Sequence, residues 1–97
     1  MGDSRLPQVF KVGGFIVYFL VNEGVPLEPI HVHVAEGVPC ENGTKIWLTK
    51  AGKTLLCHNK SQVPENKLKT ICELIESRFF EISSKWQERF NTISYYC

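Results

Sequence analysis

Two imidazoles stand two residues apart in the stretch Glu28-Pro29-Ile30-His31-Val32-His33-Val34. On a β-strand such residues project to the same side, with Cα atoms about 6.5–7 Å apart, so both rings can address one metal ion or one substrate. A metal centre needs a third ligand. Glu28 or Glu23 from the preceding loop, or Cys57 and His58 from a later strand, are the candidates, and a two-histidine-plus-carboxylate shell suits zinc or iron. Without a metal, the same pair offers a general acid and base, since free imidazole titrates near pH ~6.5; with Lys45 close by, that chemistry suits RNA cleavage. No third ligand stands at an informative spacing. The simpler expectation is therefore that His31 and His33 are partly exposed side chains that hydrogen-bond across strands or meet a partner.

A binding surface asks less of the sequence than a reaction does. Residues 44–49 alternate, with Ile46 and Leu48 on one side and Lys45, Trp47 and Thr49 on the other. If this strand pairs with the histidine strand, His31, His33, Lys45 and Trp47 form one recognition surface for a protein or for RNA. The competing expectation buries Trp47 beneath the second C-terminal helix. Cys57 and His58 are adjacent, and neighbours on a regular strand point to opposite sides, so they make a poor nucleophile–base pair.

The elements that would position these groups are legible from periodicity. Residues 6–12 and 15–21 read as two strands joined by Gly13-Gly14, and the second is apolar on both alternating sets, as a strand covered on both sides would be. Pro26 and Pro29, with Gly24, make a loop of residues 22–29 that leads to the histidine strand. A second loop over 37–43 ends in the turn-forming pair Asn42-Gly43. The strand over 44–49 then turns at Ala51-Gly52 into 53–57, which makes the middle of the chain an antiparallel meander.

At Pro64 the period changes to that of a helix. Leu68, Ile71, Cys72, Ile75 and Phe79 share one stripe, which runs on through Ile82, Trp86, Phe90 and Ile93. One helix of about thirty residues is long for a small domain, and a break near 78–81 lets both halves pack on the same sheet. Trp86 reads as packing, and Tyr95-Tyr96-Cys97 as a short tail. The expected architecture is α+β: an antiparallel sheet of four or five strands over about 6–58, then two helices over about 64–93, in a single domain of 97 residues.

Composition narrows the class. Apolar residues at 43% with 22% charged argue for a folded chain rather than a disordered one. The longest apolar run, residues 15–21, is far short of the ~20 residues that span a bilayer, and no leader-like segment is seen, so a soluble cytoplasmic protein is expected. Cys40, Cys57, Cys72 and Cys97 lack a Cys-x-x-Cys spacing and read as free thiols in a reducing compartment. Net charge is +1, but residues 1–41 carry two basic and five acidic side chains whereas 42–97 carry nine and five. Lys45, Lys50 and Lys53 lie close together on the expected hairpin. They form a patch for an acidic partner or RNA, or lysines that guard a strand edge against aggregation.

The order of Pro29-Ile30-His31-Val32-His33-Val34, Lys45-Ile46-Trp47-Leu48, Asn59, Lys85-Trp86 and Phe90 resembles a bacterial family known as domain of unknown function 4160. The resemblance runs from about Leu6 to Phe90. It implies a short protein with no settled biochemical role, often found beside another small protein in an arrangement like a toxin–antitoxin pair. Two family features are altered here. An Asp-His ahead of a Pro-Pro pair is replaced by Glu23-Gly24-Val25-Pro26-Leu27-Glu28-Pro29, and an Asn-x-Gly turn by His58-Asn59-Lys60-Ser61, in which Asn59 carries over. The function expected is a protein-interaction module acting through His31, His33 and Trp47 on a small protein partner. The alternative is a small hydrolase, ribonuclease-like or metal-dependent, that uses His31 and His33.

Overall fold

The computed structural model describes residues 8–20 and 27–97. Among them, five strands form one antiparallel meander, β1 (Gln8–Val12), β2 (Phe15–Tyr18), β3 (His31–Glu36), β4 (Thr44–Leu48) and β5 (Thr54–His58), in the spatial order in which they occur along the chain. Two helices follow, α1 (Glu65–Ser77) and α2 (Phe79–Phe90). The α+β arrangement read from the sequence is therefore the one observed. Residues 1–7 and 21–26, with the start of the first expected strand and Glu23 of the proline loop, lie outside the described residues.

Gly13, in the left-handed region at φ 51°, closes the β1–β2 turn at the Gly-Gly pair. Alternation then sorts the sheet into two sides. Val17, Val32, Val34, Ile46 and Leu48 face the helices and pack with Ile71 and Ile75 of α1 and Ile82 and Trp86 of α2. Each such aliphatic side chain, fully buried, contributes about 1.5–3 kcal/mol. Trp86 is 1% exposed, with its ring 5.3 Å edge-on from Phe19 and 4.3 Å from Phe90. Its indole Nε1–H has no hydrogen-bond partner among the described residues, so packing alone holds it.

The helical stripe breaks where two shorter helices were expected. Arg78, at φ −109° and ψ 24°, leaves helical geometry between α1 and α2, while its N–H still donates to the carbonyls of Leu74 and Ile75. Its guanidinium lies 4.6 Å over the Phe10 ring, so the bend is anchored to β1. At the far end, Asn91 closes α2 in the left-handed region at φ 64°. The chain then runs along the end of the sheet: the Ile30 N–H donates to the Ser94 carbonyl and the Lys50 N–H to that of Cys97.

A polar knot ties β4 to the segment ahead of α1. Thr44, fully buried, donates to Asn59 Oδ1 at 2.6 Å and accepts from the Ser61 N–H at 3.1 Å. Asn59 also accepts from the Val63 N–H and donates to the Val63 carbonyl, closing the loop on itself. β5 is fixed to α1 by Glu76, whose carboxylate accepts from both the N–H and the hydroxyl of Thr54.

Candidate functional site

The four residues expected to share a surface are neighbours on the side of the sheet away from the aliphatic core. Antiparallel register sets His31 opposite Trp47 and His33 opposite Lys45. Tyr18 of β2 joins them opposite His33. Across the sheet, Tyr18, His33, Lys45 and His58 form one row, and His31, Trp47 and Leu55 the next.

His58 reaches its row through an irregularity. Lys45 pairs with His58 and Ile46 with Leu56, so Cys57 is the extra residue of a bulge. Strict alternation would have placed His58 on the helix side. Burial lowers its pKa below the ordinary histidine value, and its neighbours Lys60, His33 and Lys45 add to that shift.

The rings form a connected run. Tyr18 stacks on His33 at 5.8 Å, His33 meets His31 edge-on at 5.0 Å, and His31 meets Trp47 at 5.5 Å. Tyr96 lies flat on Trp47, with 4.8 Å between centroids and 4° between planes. Lys45 sits 4.5 Å over the Trp47 ring and also pairs with Glu28. These contacts correct one expectation. His31 and His33 are not partly exposed but 1% and 4% exposed, because each is flanked by rings on both sides. Trp47 is buried, with Tyr96 stacked on it and the His31 ring 5.5 Å away, and that same His31 ring lies 5.4 Å from Trp86 of α2.

Backbone carbonyls orient both imidazoles. His31 Nδ1 lies 2.8 Å from the Pro29 carbonyl oxygen and His33 Nδ1 3.3 Å from that of Gly43. A carbonyl only accepts, so each Nδ1 carries the proton and, in the neutral ring, each Nε2 is the basic nitrogen. That is how metal-binding and proton-transferring histidines are commonly held. His31, His33 and Glu28 were the candidate ligands; Glu28 is engaged by Lys45, and no group of three His, Cys, Asp or Glu that could hold a metal occurs among the described residues.

Tyr18 was not singled out from the sequence, although its row position follows from alternation in β2. Its hydroxyl donates to the Cys40 carbonyl at 2.6 Å and accepts from the Cys40 N–H at 3.1 Å, fastening the β3–β4 loop to this side. Burial pushes its ionisation well above the usual tyrosine range, so it remains a neutral donor. Gly43 is required beneath it, since a Cβ there would overlap the Tyr18 hydroxyl. All four cysteines are free thiols, and burial raises the pKa of Cys72.

A family model matches residues 14–87, three quarters of the chain, under the description Domain of unknown function (DUF4160). The chain belongs to that family. Comparison with curated proteins and with solved structures gives no match. The DUF4160 match takes in the histidine strand, the Lys45–Trp47 strand and Asn59, and it stops before the segment that carries Tyr96. Asn59, the residue that carried over from the family's turn, has a structural reason in the Thr44–Val63 knot. Among the described residues no helix is long and apolar enough to cross a membrane.

Proposed function

We propose that this chain is a cytoplasmic protein-interaction module, one component of a toxin–antitoxin-like pair, and that its partner docks on the corner formed by Trp47, Tyr96, Lys45 and Leu55. The observation that carries the reading is the ordered stack at this corner. Tyr96 is 59% exposed yet lies flat on Trp47, and Leu55, opposite Trp47 in register, is 42% exposed. A rigid aromatic pair beside a cation and an exposed leucine resembles the anchor clusters that dominate protein interfaces. His31 and His33 belong to this reading as the buried base that fixes the Trp47 ring.

The test is recovery of a stoichiometric partner from the native host with the wild-type chain and with Tyr96→Ala combined with Leu55→Asp. Loss of the partner from a folded double variant supports the reading. Undiminished recovery counts against this corner.

A metal-dependent or metal-free hydrolase, ribonuclease-like in the RNA case, is the second reading, favoured by the shared Nδ1–H anchoring of His31 and His33. It requires a substrate or metal to reach two Nε2 atoms on nearly buried rings. Stoichiometric zinc or iron, or RNA cleavage lost in both His31→Gln and His33→Gln, would put it first.

A further inference from the structure

The two margins of the sheet are built differently. Both carry a register irregularity, but β1 also carries Lys11 and buries Val9 and Phe10; charge is a usual guard of a sheet edge. β5 has neither charge nor proline in Thr54-Leu55-Leu56, the part ahead of its Cys57 bulge. Among the described residues nothing pairs with its outer side, and Leu55 and Leu56 are 42% and 45% exposed although they point to opposite sides of the sheet. A partner that covers one side would leave one leucine in water. A strand that continues the sheet covers both.

We propose that this strand is β5 of a second copy of the chain, paired antiparallel about a two-fold axis to give a ten-stranded sheet. The charges at its ends select that occupant. Glu76 accepts from Thr54, and Glu73 acts together with it on the Cys72 thiol, which Thr54 meets; exposed Lys53 offsets one of these charges. Next to His58 stands Lys60, whose charge is exposed, whereas Lys45 on the far side is paired with Glu28. Antiparallel pairing brings the acidic end of each copy against the basic end of the other, whereas the strand between is uncharged and meets its own image without repulsion. This contact shares Leu55 with the Trp47–Tyr96 corner but leaves Tyr96 outside it, so Tyr96→Ala tests the corner alone and Leu56→Lys the dimer alone.

Sedimentation equilibrium of the full chain from about 1 µM to 500 µM tests it. The wild type is expected to dimerise within that range. Leu56→Lys, at an exposed position that keeps the fold, should raise the dimer Kd at least tenfold, and Lys60→Glu should raise it about threefold, with Glu73→Lys added to Lys60→Glu restoring part of the loss. Tyr96→Ala should leave the dimer unchanged. A wild-type monomer throughout the range overturns the proposal, as does a dimer that Leu56→Lys does not weaken. Unfolding curves establish that each variant is folded.

Discussion

The two sides of one sheet reach similar burial by different means. Facing the helices, Val32, Val34, Ile46 and Leu48 are 0% exposed and hold place by apolar mass alone. On the other side, Tyr18, His31, His33 and Trp47 are between 0% and 9% exposed, yet each is fixed by a named contact: a carbonyl for each imidazole, a loop for the tyrosine, a stacked ring for the tryptophan. Apolar packing tolerates neighbours of similar volume, whereas directional contacts tolerate few. The first side is held by apolar volume, and the second by the identity of its residues.

Substitutions should separate these roles, beginning on the helix side. Trp86→Ala is expected to destabilise by about 3–5 kcal/mol, measured by denaturant unfolding, because it removes contacts to Phe19 and Phe90 with no hydrogen bond to lose. An effect below about 1 kcal/mol would mean that the helix side is not the principal core. Gly43→Ala comes next, at about 1–3 kcal/mol, since the new methyl displaces the Tyr18 hydroxyl and disturbs the carbonyl held by His33 Nδ1. Tyr18→Phe in the same background should then cost less than it does alone, a coupling that a double-mutant cycle reads directly.

Tyr96→Ala is expected to cost about 0.5–1.5 kcal/mol while shifting the Trp47 emission to the red and raising its quenching by acrylamide. Unchanged emission would show that the stack is absent in solution. The smallest effect concerns acid. His58 is depressed in the folded chain, so the unfolded chain binds its proton first as pH falls below ~6.5, and stability present above that pH declines through the interval down to the folded value. His58→Gln should flatten this part of the pH–stability curve, and an unchanged slope would remove His58 as its source.

Much of the fold was legible because it rests on local rules. The Gly13-Gly14 turn, the period-two strands, the meander and the helix break all follow from residue types and spacing. The histidine site was legible in membership but not in environment. That His31 and His33 share a side with Lys45 and Trp47 follows from alternation and register, whereas their burial depends on Tyr18, Trp86 and Tyr96, which approach from distant parts of the chain. The Cys57 bulge breaks strict alternation in β5, and that is what brings His58 into the row of His33 and Lys45. No sequence signal marked that bulge. Tyr96 could be read only as part of a tail, because its partner ring lies almost fifty residues away.

The proposed function stands or falls with protein binding at the Trp47–Tyr96 corner. Native mass spectrometry of the chain purified gently from its own host, beside the Tyr96→Ala, Leu55→Asp variant, tests it most directly, since one spectrum reports partner, metal and copy number together. The expected result is a stoichiometric second protein with the wild type that is missing from the folded variant. A partner retained by the variant, or a chain that carries bound metal and no second protein, would contradict it.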